Sequence, residues 1–306
     1  MRILITGGAG YIGTELTYEL SKRNEVSEII IYDNLSRGNY NLFIGQTKLN
    51  KVKFIQGDLL DTRKLKKNLK DVDVVIHLAA VVTTPFSDQN PHLFEQVNHW
   101  GTAELVYAIE ESKVKKFIYT SSVSVYGASK EEVDIDTPIN PKTFYGISKM
   151  RGEEHVHRII NKIPSYILRL GNVYGYSKSM RFDAVINRFM FDAHFKNRIT
   201  INGSGEQYRS FIHVDKTANL LANISVSDKL KAGRYDLVED NLSVNYIADR
   251  LKDLYPELEM MFVNQHMNLR DLRVKPNHSV NELFDIKVRS LLEVLTEFKN
   301  NFTFNS

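Results

Sequence analysis

Short β-branched runs recur through the first 170 or so residues at a spacing that few folds accommodate. They are Arg2–Thr6, Glu28–Asp33, Val52–Gln56, Val72–Leu78, Lys116–Ser121 and Ser165–Leu170. Between them lie stretches with apolar residues at helical spacing, such as Ile12, Leu16 and Leu20, or Leu105 and Ile109. Strand–helix alternation with apolar strands requires a parallel sheet covered on both faces. Right-handed crossovers then make a Rossmann-type, doubly wound α/β fold the expectation.

After Leu170 the rhythm changes. A polar loop at Asn172–Met180 leads to an expected helix at Phe182–Phe195 and a short strand at Ile199–Ile201. A Gly203-Ser204-Gly205 turn, a strand at Ile212–Val214, a helix from Asp215 and a strand at Tyr235–Val238 follow, then a helix N-capped by Ser243. With 306 residues and no Pro-, Gly- or Ser-rich linker, the reading is two parts with a cleft between them. Residues 1–171 form the dinucleotide-binding domain. Residues 172–306 form a smaller C-terminal α/β lobe, with some chain crossing back to the first domain.

The chain contains no cysteine. Disulfides, thiolate catalysis and zinc-thiolate or iron–sulfur sites are therefore excluded, and a cytoplasmic protein fits. The net charge of +3 is too small to imply nucleic acid, and partners must be argued from sites. Met1–Thr6 already reads as a strand, leaving no room for a signal peptide, and the longest apolar run falls short of a membrane span. The expectation is an intracellular soluble protein with no nucleic-acid and no membrane partner. The run Lys64, Lys66, Lys67 and Lys70 reads as a solvated helix face.

Two motifs carry chemistry. Gly7, Gly10 and Gly13 match GxxGxxG directly after strand one and open a helix. Such a turn lets backbone N–H groups approach a pyrophosphate, although an ordinary glycine turn uses the same letters. Asp33 ends the next strand, where a carboxylate accepts from ribose hydroxyls and repels a 2′-phosphate. It points to NAD even though Arg37 lies nearby, and a turn-starting aspartate is the plain alternative. The second motif is Tyr145-Gly-Ile-Ser-Lys149, which puts phenol and ammonium on one helix face. A lysine beside a phenol is expected to move its pKa down toward working pH and make it a general base. Thr120-Ser121-Ser122 follows strand five, at the sheet edge where doubly wound folds place ligands.

TGGAGYIG, YDNLSRG, GDLLD, HLAA, TSSVSVYG, YGISK, RLGNVYG and GSGEQYRSFIHVD occur in this order. Together they resemble the extended short-chain dehydrogenase/reductases, specifically the NAD-dependent nucleotide-sugar epimerase/dehydratase group. The likeness covers about Met1 to Val238 well and the remainder loosely. It implies that Gly7, Gly10, Tyr11, Ile12 and Gly13 hold the pyrophosphate of NAD, Asp33 and Asn34 its adenosine ribose, and that Asp58 and Leu59 flank the adenine. Leu78, Ala79 and Ala80 then line the cofactor cleft, and Asn98 supports the active-site strands. Ser122 matches the catalytic hydroxyl that also holds the substrate oxygen, Tyr145 the base and Lys149 its partner, which steadies the nicotinamide ribose, so that Tyr145 and Lys149 also contact the cofactor. Asn172 and Arg209 match the groups holding the sugar-nucleotide diphosphate. Arg270 matches a second phosphate ligand, although this chain reads Arg270-Asp271-Leu272 where the group has glycine and aspartate after that arginine.

The resemblance also sorts the reactions. Relatives that expel the sugar C6 hydroxyl carry Asp-Glu directly after the catalytic hydroxyl; here those positions are Val123 and Ser124. A nucleotide-sugar 4-epimerase with tightly bound NAD is the leading expectation. A 4-dehydrogenase or 4-ketoreductase is the alternative, and a non-catalytic NAD-sensing regulator a third. Relatives suggest a homodimer joined by helices near Pro91–Ser112 and Lys142–Ile163. The Lys- and Asn-rich composition fits a bacterial source, where polysaccharide biosynthesis is the usual setting. His77 is expected to pack rather than ligate a metal, Trp100 to lie in the core or an interface, and Met260 and Met261 to be strand residues or gap fillers.

Overall fold

The computed structural model describes residues 1–44, 49–82, 90–264 and 269–302. Its strands are β1 (Arg2–Thr6), β2 (Glu28–Asp33), β3 (Val52–Gln56), β4 (Val74–His77), β5 (Lys116–Ser122), β6 (Glu132–Val133) and β7 (Ser165–Leu170). In the second half follow β8 (Asn172–Tyr174), β9 (Arg198–Asn202), β10 (Tyr208–His213), β11 (Gly233–Leu237), β12 (Asp240–Ser243), β13 (Glu259–Val263) and β14 (Arg273–Val274). The helices are α1 (Tyr11–Ser21), α2 (Thr62–Asn68), α3 (Pro91–Phe94), α4 (Gly101–Glu110), α5 (Phe144–Ile159), α6 (Val185–Lys196), α7 (Val214–Val226), α8 (Val244–Leu254), α9 (His278–Leu283) and α10 (Leu291–Asn300).

Seven strands form one parallel sheet in the order β11-β7-β5-β4-β1-β2-β3. Alternate residues of each strand feed the two faces. Ile3, Ile5, Ile29 and Ile31 pack with Leu16 and Leu20 of α1 and with α7, whereas Leu4, Ile30 and Val75 pack with Leu105 and Ile109 of α4 and Val156 of α5. This is the Rossmann-type doubly wound fold that the alternation predicts.

The polypeptide returns to this sheet after leaving it, since β11 pairs with β7 and α7 lies on the α1 side. The remaining second-half elements build a separate core around α6, α8 and α10, with Phe189, Ile199, Phe211, Ile247, Leu251 and Leu295 buried in it. Small sheets β12-β10-β8, β13-β9 and β14-β6 complete this side.

Several elements differ from their sequence reading. The fourth strand is shorter than Val72–Leu78, and α6 starts at Val185 rather than Phe182, because Asp183 is held by Arg181 in the preceding turn. The strand read at Ile212–Val214 ends at His213, whose ring accepts from Asp215 N and so N-caps α7. Ser243 caps α8 as read, accepting from Tyr246 N. Trp100 is not core: it is 53% exposed, at the end of a π-helical turn, Glu95–Trp100, that shifts the helix face. Met260 and Met261 both lie on β13, in keeping with the strand alternative, with Met261 exposed. Among the described residues, no helix is long and apolar enough to cross a membrane, and no cluster of metal-ligating side chains occurs.

Candidate active site

The turn between β1 and α1 is tight for a stated reason. Gly7 has φ +70, and a Cβ there would stand 2.6 Å from Ala79 N; at Gly13 it would stand 2.6 Å from Gly7 O. Gly10 gives α1 no side-chain cap, so the first-turn N–H groups of a helix pointing into the cleft stay available for an anion. Behind this turn lies a cavity of about 360 Å³. The glycine loop from Gly7 to Gly13 lines it, as do Asp33, Asn34, Asp58, Leu59 and Leu78 to Ala80. A cradle that any Cβ would fill, an uncapped helix end and a carboxylate at the far edge fit a dinucleotide.

Asp33 starts the turn weighed for it and also lines the cavity. Its Oδ1 accepts from Leu35 N at 2.8 Å, closing a turn, and its Oδ2 accepts from Ala9 N at 3.1 Å, tying the strand end to the glycine loop. Burial pushes its carboxyl up, with those two N–H groups acting against the shift. Each oxygen accepts one of these hydrogen bonds and keeps further acceptor capacity at the cavity edge. Asn34 donates to Asp58 Oδ2 at 3.0 Å, so the two residues read as ribose and adenine neighbours are joined.

The hydroxyl, phenol and ammonium come from β5 and α5. Ser122 ends β5, where its Oγ accepts from Ser124 N and donates to Ser124 Oγ at 3.1 Å. Tyr145 is in the first turn of α5, capped by Thr143, and its ring meets Phe94 edge-on at 6.4 Å. Burial raises the Tyr145 pKa, while the Ser122 hydroxyl and the Arg181 guanidinium lower it. The lysine is 3% exposed, and its Nζ donates to Thr120 O at 2.8 Å. Burial brings its pKa down to about 7, opposed by Glu153. Ser122 and Arg181 thus act on the phenol to oppose its burial, while the Lys149 ammonium is anchored to the β5 carbonyl.

Asn98, in the π-helical turn, accepts from Val81 N and donates to Val81 O, both at 2.8 Å, and donates to Ser148 Oγ at 3.1 Å. Ser148 donates in turn to Tyr145 O. The π-turn thus joins the cavity wall to the helix that carries the phenol. His77 packs, as expected, between Thr6 and Thr102.

A third group lies on the second lobe. Asn172 is exposed on β8 and donates to Ser210 O on neighbouring β10, where Arg209 also stands. Burial brings Arg209 down to about 10, and the next contribution is the like charge of Arg270. Asp271 accepts from Tyr208 N at 2.9 Å, which docks the 270–272 segment against β10 and sets the two guanidinium groups near one another. Two neighbouring guanidinium groups have the charge and fork geometry that suit a doubly charged anion.

Residues 3–234 match the NAD dependent epimerase/dehydratase family. The chain belongs to that family. A Methanocaldococcus jannaschii protein provisionally named UDP-glucose 4-epimerase is 36% identical over 230 residues, 72% of either chain. The human dTDP-D-glucose 4,6-dehydratase is 34% identical over 265 residues, 84% of this chain and 74% of that one. The crystal structure of UDP-glucuronic acid 4-epimerase from Bacillus cereus, in complex with UDP-glucuronic acid and NAD, superposes with a TM-score of 0.85 at 27% identity, covering 98% of both chains.

For an NAD-dependent epimerase/dehydratase, sequence reasoning overlooked one cavity residue of consequence. Arg181 lines the cofactor cavity and acts on Tyr145. Its loop is fastened to α1: Tyr11 Oη donates to Gly175 O at 2.7 Å, Thr14 Oγ1 to Ser179 Oγ at 2.8 Å, and Lys178 N to Glu15 Oε1. The only local hint was a cation in the polar loop after RLGNVYG.

Proposed function

We propose that this enzyme is a nucleotide-sugar 4-epimerase that works by transient oxidation at C4. Residues 1–171 carry the NAD site and the reacting groups; residues 172–306 form the nucleotide-sugar lobe, with α7 and β11 crossing back. The observation carrying the reading is the end of β5, where Ser122 faces Tyr145 and is followed by Val123 and Ser124. Val123 is buried and Ser124 pairs with Ser122, so neither supplies the acid that expulsion of a C6 hydroxyl requires.

The residues divide the work as follows. NAD, when bound, supplies the hydride acceptor and a cationic ring. Gly7, Gly10, Tyr11, Ile12 and Gly13 hold its pyrophosphate through backbone N–H groups, Asp33 and Asn34 its ribose, and Asp58, Leu59 and Leu78 to Ala80 its flanks. Tyr145 takes the proton from the sugar 4-hydroxyl and later returns it, while Ser122 orients that oxygen. Lys149 keeps a positive charge beneath the pair. Arg209, with Arg270 and Asn172, grips the diphosphate and leaves the pyranose free to turn over.

Exposed Trp100, Tyr107 and Phe144, on the π-turn, α4 and α5, support a homodimer joined through these helices. A cytoplasmic place in bacterial polysaccharide biosynthesis accords with the cysteine-free, lysine-rich composition.

The test is to purify the protein without added cofactor, denature a portion and quantify NAD⁺ and NADH. The rest is offered UDP-glucose, UDP-glucuronic acid, UDP-N-acetylglucosamine and dTDP-glucose while reduced nicotinamide is followed. Near-stoichiometric NAD⁺ with a new C4 isomer and no lasting reduction is expected. Accumulating NADH, or a need for added NAD⁺, would assign a dehydrogenase or ketoreductase instead, and a 4-keto-6-deoxy product a dehydratase.

A further inference from the structure

Behind the reacting groups lies a buried row of ionised side chains that the reaction as described does not use. Asp236 of β11, Arg169 of β7 and Ser121 of β5 are register partners across three adjacent strands. Residues paired across a sheet point to one face, and here the row meets Glu153 of α5, one helical turn beyond Lys149. Glu153 Oε1 accepts from Ser121 Oγ at 2.5 Å and from Arg169 Nε at 2.9 Å, and its Oε2 accepts from Arg169 Nη2 at 2.7 Å. Arg169 Nη1 donates to Tyr126 Oη at 2.8 Å, and Tyr126 Oη donates to Asp236 Oδ2 at 2.7 Å. Arg169 is 0% exposed, Glu153 2%, Asp236 3% and Tyr126 4%.

With Lys149, the array holds two cations and two carboxylates and is neutral. If Arg169 and Glu153 were alone, they would cancel and leave Lys149 a buried cation without compensation, a costly arrangement. Asp236, reaching Arg169 through Tyr126, supplies the second negative charge. We propose that Glu153 is a positioning residue that holds Lys149 as an ammonium and fixes the end of β5 beside Ser122, and that Asp236 balances Arg169 so that Glu153 can do so. The turnover arm of the test rests on the 4-epimerase reading; the titration arm does not.

Tyr119 on β5 lies under Lys149 Nζ, 5.0 Å from its ring centroid, and is acted on by Glu153 and Tyr145; Lys149 acts on His77 of β4; Arg234, Glu153 and Arg169 act on His157 of α5, and Asp134 on Asp236. Burial lowers Lys149 toward neutrality and Glu153 raises it again, in keeping with the proposal.

The experiment uses holoenzyme carrying ¹³Cε-labelled lysine, followed by NMR from mildly acidic to alkaline pH so that a midpoint below about 7 stays in range. The Lys149 signal is assigned by its loss in Lys149→Met. Glu153→Gln keeps the shape and removes the charge; it should lower the Lys149 midpoint by about one pH unit, the size of effect a nearby opposite charge has on a buried group. Asp236→Asn, at the far end, should lower it by less. The alkaline limb of kcat should move by the same amounts. A purely structural role would reduce kcat evenly across pH and leave the midpoint where it was, which overturns the proposal. If Glu153→Gln does not fold, the Asp236→Asn titration decides alone. If no sugar is turned over by wild type, the 4-epimerase reading fails while the titration still rules on the array.

Discussion

Replacing His77 with glutamine isolates one proton's contribution to stability. The His77 ring is 1% exposed beneath the cofactor cavity. Thr102 Oγ1 donates to Asn98 O, so it must accept from His77 Nε2–H at 2.9 Å; Nδ1 then accepts from Thr6 Oγ1 at 2.6 Å. The neutral ring is fully satisfied, and burial, helped by the Lys149 charge, lowers its pKa from 6.5 to about 3. The sign follows from linkage. Between pH 3 and 6.5 the unfolded chain binds a proton at this site and the folded chain does not, so stability rises with pH through that window and is lost on acidification. At pH 5 the site is 1.5 units below its unfolded pKa. At ~1.36 kcal/mol per unit, His77 costs the fold about 2 kcal/mol relative to pH 8. Other groups act simultaneously. His213, lowered to about 4, works in the same direction, whereas Asp236, raised to about 6, works against it. The comparison must therefore be between wild type and His77→Gln. Urea unfolding at pH 8 and pH 5 should show the wild type losing about 2 kcal/mol more than the variant, despite a lower starting stability of the variant of about 1 kcal/mol from the altered hydrogen bonds. Equal losses in the two proteins would refute the neutral buried histidine.

Three further outcomes are expected at the site. Tyr145→Phe should abolish sugar oxidation while the purified protein keeps its NAD, since only the phenol oxygen is lost and the glycine cradle and Asp33 that line the dinucleotide cavity are untouched; persistent turnover would remove Tyr145 from the mechanism. Gly13→Ala should give protein with little or no bound NAD on denaturation, because its Cβ would press within 2.6 Å of Gly7 O and Gly8 Cα. Gly38→Ala, whose Cβ meets nothing within 4 Å, is the control, at a cost of about 1 kcal/mol for a left-handed alanine. Arg209→Ala should raise the nucleotide-sugar KM about 10- to 100-fold with NAD content unchanged, the loss of a charge-assisted hydrogen bond worth about 1.5–3 kcal/mol; an unaltered KM would move the diphosphate elsewhere.

Sequence and tertiary structure contributed different parts of this picture. The sheet, the glycine turn, the Tyr145–Lys149 pairing on one helix face and the Ser243 cap were legible in the sequence because each depends on residues a few positions apart. Periodicity, steric freedom at glycine and the i, i+4 geometry are local quantities. The return of β11 to the first sheet was legible only as an unspecific crossing. What the chain alone could not provide was whatever depends on surroundings assembled from distant segments. Arg181 reaches the phenol because its loop is bonded to α1, some 165 residues earlier in the chain. Asp236, Arg169 and Ser121 share a row only because three strands align in one register. The π-turn that presents Asn98 also leaves Trp100 in solvent. The largest surprise was at the reacting pair itself. Spacing placed phenol and ammonium side by side, but burial raised one and lowered the other, because a pKa depends on the water and charge removed from around a group, and that is decided when the fold closes.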